Sequence, residues 1–113
     1  MRSASAAIPA LSVLAVLVAG GSASAADTPV ALTLKDHHFD PAEVTVPAGT
    51  RLKVTVKNLD ATAAEFESDD FRAEKIIPGE QEATFYVAPL NPGTYEFHDE
   101  YHEDESKSKL IAR

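Results

Sequence analysis

Hydrophobic and polar positions alternate with a period of two along most of the chain. Between Arg51 and Lys57, Leu52, Val54 and Val56 fall on one face and Lys53, Thr55 and Lys57 on the other, the pattern of a half-buried strand. Val30, Leu32 and Leu34 alternate in the same way with Thr33 and Lys35. So do Ala83, Phe85 and Val87 with Glu82, Thr84 and Tyr86, and Tyr95 and Phe97 with Thr94, Glu96 and His98. Glu43 to Val46 and Ser108 to Ala112 are shorter candidates. Breaker clusters at Asp40-Pro41, Pro47-Ala48-Gly49, Asn58-Leu59-Asp60, Pro78-Gly79 and Asn91-Pro92-Gly93 separate these runs. The spacing predicts an all-β domain of about seven short strands closed as a sandwich or barrel. A single helical turn is expected at most, over Ala61 to Ala64.

The first residues follow a different rule. Arg2 precedes an apolar run from Ile8 to Ala19, and Ala23-Ser24-Ala25 fits the small-residue cleavage pattern. Residues 1–25 are therefore predicted to be a cleaved secretory signal peptide, leaving residues 26–113 as one domain with a periplasmic location. The run is about twelve residues long, short of the roughly 20 that a spanning helix needs. Pro9 and Gly20-Gly21 confine it further. The protein is not expected to span a membrane.

Composition narrows the chemistry. Cysteine is absent, and the single methionine is Met1, which would leave with the signal. The exported domain then holds no sulfur ligand and no disulfide. Eighteen Asp and Glu against ten Lys and Arg give a formal net charge of −8. That surface excludes nucleic acid as an expected partner and favours cations and basic protein faces. No nucleophile elbow, phosphate loop or dinucleotide fingerprint is present.

Several residues are candidate metal ligands. Strand parity from Tyr95 and Phe97 carries Asp99 onto the core face, where a carboxylate is costly unless paired or bound to a cation. His102 lies three residues on, close enough to share an ion, and imidazole suits iron, copper and zinc. Glu65 and Glu67 flank Phe66. If Phe66 is core, both point away along a regular strand, and only a bend brings one to Asp99. His98 faces outward by parity yet neighbours the site. His37 and His38 precede Phe39 at a strand end, either as solvated turn residues or as ligands in reserve. Glu100, Glu103, Asp104 and Glu105 are expected as a solvated acidic rim, with Asp69 and Asp70 equally exposed.

Two passages resemble the cupredoxin family. Phe39 to Thr50 is similar to that fold's opening F-x-P-x-x-[IV]-x-V-x-x-G segment, and Pro92-Gly93-Thr94-Tyr95-Glu96-Phe97 resembles its P-G-x-Y-x-F strand. The resemblance implies a cupredoxin-like Greek-key β-sandwich. In blue-copper members a cysteine, a histidine and a methionine follow that strand. Here Asp99 stands at the cysteine position, His102 at the histidine position and Lys107 near the methionine position. Glu65 or Glu67 matches the earlier histidine. A copper–thiolate electron-transfer centre is thereby excluded.

Within the family, Ala63 to Glu67, Glu74, Ile76-Ile77-Pro78-Gly79 and the closing motif look most like the cupredoxin components of bacterial iron-uptake systems. These are the FtrB type and the EfeO cupredoxin domain. The EfeO type usually carries cysteines where Phe39 and Asp99 stand here. The resemblance implies a periplasmic protein that binds iron (Fe2+/Fe3+), with Asp99, His102, Glu65, Glu67 and His98 as candidate ligands. It further implies an inner-membrane iron permease and companion periplasmic or membrane redox proteins as partners. Ferroxidase assistance and simple delivery are both open. Two alternatives stand beside it: a copper(II)-binding carrier or tolerance cupredoxin, and a metal-free interaction module.

Overall fold

The alternating runs become strands that place their apolar face between two sheets. A computed structural model describes residues 26–113, and the expected signal segment, residues 1–25, lies outside the described residues. Nine strands follow in order: β1 (Thr28–Lys35), β2 (His38–Asp40), β3 (Glu43–Val46), β4 (Leu52–Asn58), β5 (Ala64–Ser68), β6 (Ala73–Ile77), β7 (Glu82–Val87), β8 (Gly93–Asp99) and β9 (Ser108–Ala112). One sheet runs β2-β1-β4-β7 and the other β3-β9-β8-β5-β6. Each contains one parallel pair, β1 with β4 and β3 with β9, among antiparallel neighbours. The architecture is the all-β sandwich expected from the pattern. The strands exceed the expected seven because β2, β5 and β6 are short and lack long alternation.

Register follows from burial. Val30, Leu32 and Leu34 of β1 lie beside Val54, Val56 and Asn58 of β4, all turned inward. A slip by one residue would expose every one of them. Phe66 of β5 fills the space between the sheets. Its ring stacks on Phe97 of β8 with centroids 5.0 Å apart, and sits 5.7 Å from Phe39 of β2 and 4.8 Å from Phe85 of β7. The expected helical turn at Ala61 to Ala64 does not form. Instead Thr62 gives its carbonyl to the buried Asn58 amide, and Asp60 accepts from the Glu80 amide. These bonds hold the segment as an irregular bend.

After β8 the chain makes a 3₁₀ turn at Glu100–His102 and one α-helical turn, α1, at Glu103–Ser106 before entering β9. Buried Ser106 fastens this connection. Its hydroxyl receives the Asp99 amide at 2.7 Å and donates to the His102 carbonyl at 2.8 Å. Among the described residues, no helix is long and apolar enough to cross a membrane.

Candidate metal site

Asp99 ends β8 on the core face, as parity requires, and is 1% exposed. Its Oδ1 accepts the amides of Glu65 at 2.9 Å and Tyr101 at 3.1 Å. Its Oδ2 lies 3.4 Å from His102 Nδ1. The third member arrives from the far end of the sequence. Asp36 and His37 form the two-residue turn between β1 and β2, both with positive φ (50° and 64°), as tight hairpin turns demand. The turn sets the His37 ring against that of His102, stacked at 3.5 Å between centroids and 14° from parallel. His37, Asp99 and His102 thus offer ligand atoms all within 4.8 Å of one another. Asp60 backs this group. It accepts the amides of Asp36 and His37, and its Oδ2 lies 3.6 Å from His37 Nδ1. Burial pushes the Asp60 carboxyl upward, but the amide bonds from His37 and Asp36 outweigh it and hold it below the usual range.

A second group forms on the opposite face of β8. His98 pairs with Glu67 across the β5–β8 ladder. Its Nε2 lies 2.8 Å from Glu100 Oε1 and 3.7 Å from Glu67 Oε2. These three residues also present ligand atoms within 4.8 Å of one another. An acidic cleft lined in part by Asp69, Asp70, Glu96 and Glu103 adjoins His98. A hydrogen bond donated by the protonated Glu67 carboxyl to Glu100, aided by partial burial, raises Glu67 from 4.5 to about 7. The bond from His98 lowers Glu100, so the proton shared by the two carboxyls rests on Glu67.

That shift carries a pH signature. A carboxyl raised on folding stabilises the native state fully below its unfolded value of 4.5, and the contribution disappears as pH climbs through about 7. Glu67→Gln keeps a donor toward Glu100 without a charge to expel. Melts of the metal-free protein are expected to show the variant gaining on the wild type from pH 5 to pH 8. An equal difference at both pH values would mean that Glu67 holds no such proton.

The five residues singled out from sequence therefore divide. Asp99 and His102 meet each other, and Glu67 and His98 meet on the other face. Glu65 reaches Asp99 through its backbone amide, while its carboxylate belongs to neither group, because regular parity keeps residues 65 and 67 off the core face. Sequence reasoning left His37 open, placed Glu100 in the solvated acidic rim and passed over Asp60. For Glu100 a signal existed: it stands two residues beyond His98, on the same side of an extended chain. For His37 and Asp60 no local signal did, since both depend on the packing of one turn against another.

Two packed sheets with the β8–β9 connection closing one end define a cupredoxin-type sandwich, and a sulfur-free cluster occupies that end. The chain belongs to the cupredoxin-like domain family, which it matches over residues 8–112. It is 39% identical over 83 residues to an uncharacterized protein of Rickettsia prowazekii (strain Madrid E), spanning 74% of this chain and 66% of that protein. The chain thus covers just under two thirds of that relative.

Among solved structures it is similar to auracyanin A, a blue copper protein of Chloroflexus aurantiacus, with TM-score 0.66 and 14% identity over 78% of this chain and 100% of that one. The reduced auracyanin of Roseiflexus castenholzii gives TM-score 0.66 and 20% identity, covering 79% and 99% of the two chains. The metal-binding domain of the Cu(I)-exporting P-type ATPase of Streptococcus pneumoniae D39 gives 0.64 and 14%, covering 75% and 84%. At these identities the likeness is one of fold.

The donor set decides which metals fit. A blue-copper centre needs a cysteine thiolate, and the chain has none. Two imidazoles and one buried carboxylate instead suit iron, zinc or copper(II), and match in type the two-histidine, one-carboxylate set of non-haem iron(II) sites.

Proposed function

We propose that the protein is an exported, periplasmic metal-binding cupredoxin that takes iron at His37, Asp99 and His102 and passes it to an inner-membrane permease, with companion redox proteins in attendance. The observation that carries this reading is the assembly of two imidazoles with a 1%-exposed carboxylate in a chain without cysteine. The N-terminal signal pattern supports export. The motifs shared with iron-uptake cupredoxins support the choice of cargo. In this reading Asp99 supplies charge and orientation, His37 and His102 supply neutral donors, and Ser106 holds the connection in place. If the site also assists oxidation, His37, Asp99 and His102 would hold the Fe2+ while a companion redox protein takes the one electron that conversion to Fe3+ releases. Glu67 and His98, with Glu100, form a weaker docking point for a cation on the outer face.

Copper(II) is the second reading. It is favoured by the imidazole pair and by the copper proteins that share the fold. The two readings divide on titration. The protein is expected to bind one tight equivalent of Fe(II) anaerobically, and its copper(II) adduct is expected to lack the intense visible band of a thiolate ligand. Tight copper with no measurable Fe(II) binding would replace iron by copper. An intense thiolate-like band would overturn the ligand set itself.

A further inference from the structure

His37 is a surprising ligand for a folded protein to rely on. It sits on a two-residue turn whose residues both have positive φ, and its ring is 31% exposed. The fixing group comes from the loop after β4. The Oδ1 of Asp60 accepts the Asp36 amide at 2.7 Å and its Oδ2 accepts the His37 amide at 3.0 Å, while the same Oδ2 faces His37 Nδ1 at 3.6 Å. Asp60 is itself anchored. Its amide donates to Oδ1 of Asn58 at 3.0 Å, and the buried Asn58 amide group donates to the carbonyls of Thr62 and Ile77 at 2.9 and 3.2 Å. A continuous path of hydrogen bonds therefore runs from the core through Asn58 and Asp60 to the His37 turn.

We propose that Asp60 is the positioning residue of the metal site, holding the Asp36–His37 turn through its two amide bonds and so aiming the His37 ring at Asp99 and His102. The proposal rests on the reading of His37 as a ligand. The physical logic is that of a carboxylate behind a metal-binding imidazole, which fixes ring orientation and raises donor strength. His102 has no separate group of this kind, since its Nδ1 faces Asp99, a ligand itself. Asp60 hydrogen-bonds the backbone of only one of the three proposed ligands, His37, so removing His37 isolates that effect.

The test is a cycle of four proteins, wild type, Asp60→Asn, His37→Ala and the double variant, titrated anaerobically with Fe(II) and melted in parallel. Asp60→Asn is expected to weaken Fe(II) binding by about 10–100-fold, the usual loss for such a partner, and to do nothing further once His37 is alanine. An equal loss with and without His37 would show Asp60 acting on the fold at large and overturn the proposal. So would unchanged affinity in Asp60→Asn when His37→Ala weakens binding. Unchanged affinity in His37→Ala would instead remove His37 from the ligand set, and the proposal with it. Should Asp60→Asn fail to fold, Asp60→Glu gives an independent answer. It keeps the charge but shifts the carboxylate off the two turn amides, so it is expected to weaken Fe(II) binding while His37 is present and to do nothing further in His37→Ala. Unchanged affinity beside an intact His37 would overturn the proposal.

Discussion

Phe66→Ala is expected to lower the free energy of unfolding by about 3–5 kcal/mol, the range for emptying a large aromatic site in a packed core. Phe66 is 1% exposed, and its neighbours come from both sheets. Phe39 and Phe85 belong to the β2-β1-β4-β7 sheet, and Phe97 to the other. The ring is therefore a central contact between the sheets, beside that of Phe39 on Phe97 at 5.1 Å, and neither backbone can collapse into the gap without tilting a sheet. A domain of this size buries only about 60–65% of its unfolded surface, has no disulfide, and starts from a typical stability of about 5–15 kcal/mol. The loss is a large part of that. Urea melts of the metal-free protein check it, as a lower midpoint at constant slope. Ile76→Ala is the control: Ile76 is 53% exposed on β6, and its loss is expected within about 0.5 kcal/mol. Comparable losses in the two would put Phe66 outside the core.

The same alternation explains what could be read in advance and what could not. β1, β4, β7, β8 and β9 were visible because each shows one apolar face to the partner sheet and one polar face to water. β6 was not, because only Ile77 of Ala73–Ile77 is buried, and an edge strand with one inward residue leaves no periodic trace. β2 has three residues, too few for a period to show. In the site, parity correctly sent Asp99 inward. The same parity separates Glu67 and His98 from it, since adjacent residues of β8 face opposite sides. The meeting of His37 with His102 is different in kind. Those residues lie far apart in sequence, and their contact depends on a hairpin turn, a capping carboxylate from a third loop and the 3₁₀ turn after β8. No local pattern encodes a coincidence of three loops.

The centre of that coincidence is Asp99, and two substitutions separate its roles. Asp99→Asn keeps an oxygen to accept the amides of Glu65 and Tyr101 but removes the negative charge. Asp99→Ala removes both. Without metal, the asparagine variant is expected to melt near the wild type. The alanine variant is expected to lose about 1 kcal/mol for each of these part-buried amides, the low end of the cost of an unpaired donor. With metal the order changes. Wild-type protein at about 100 times its dissociation constant gains about 2.7 kcal/mol by mass action. Both variants are expected to forfeit most of that gain, because their affinity falls at least about 100-fold, beyond the usual cost of losing an outer-shell partner. Melts of the three proteins with and without Fe(II), held anaerobic, read both effects at once. An asparagine variant that kept the full metal-induced rise in melting temperature would show that the buried carboxylate serves only to cap the amides of Glu65 and Tyr101. The metal would then have to be sought at Glu67, His98 and Glu100.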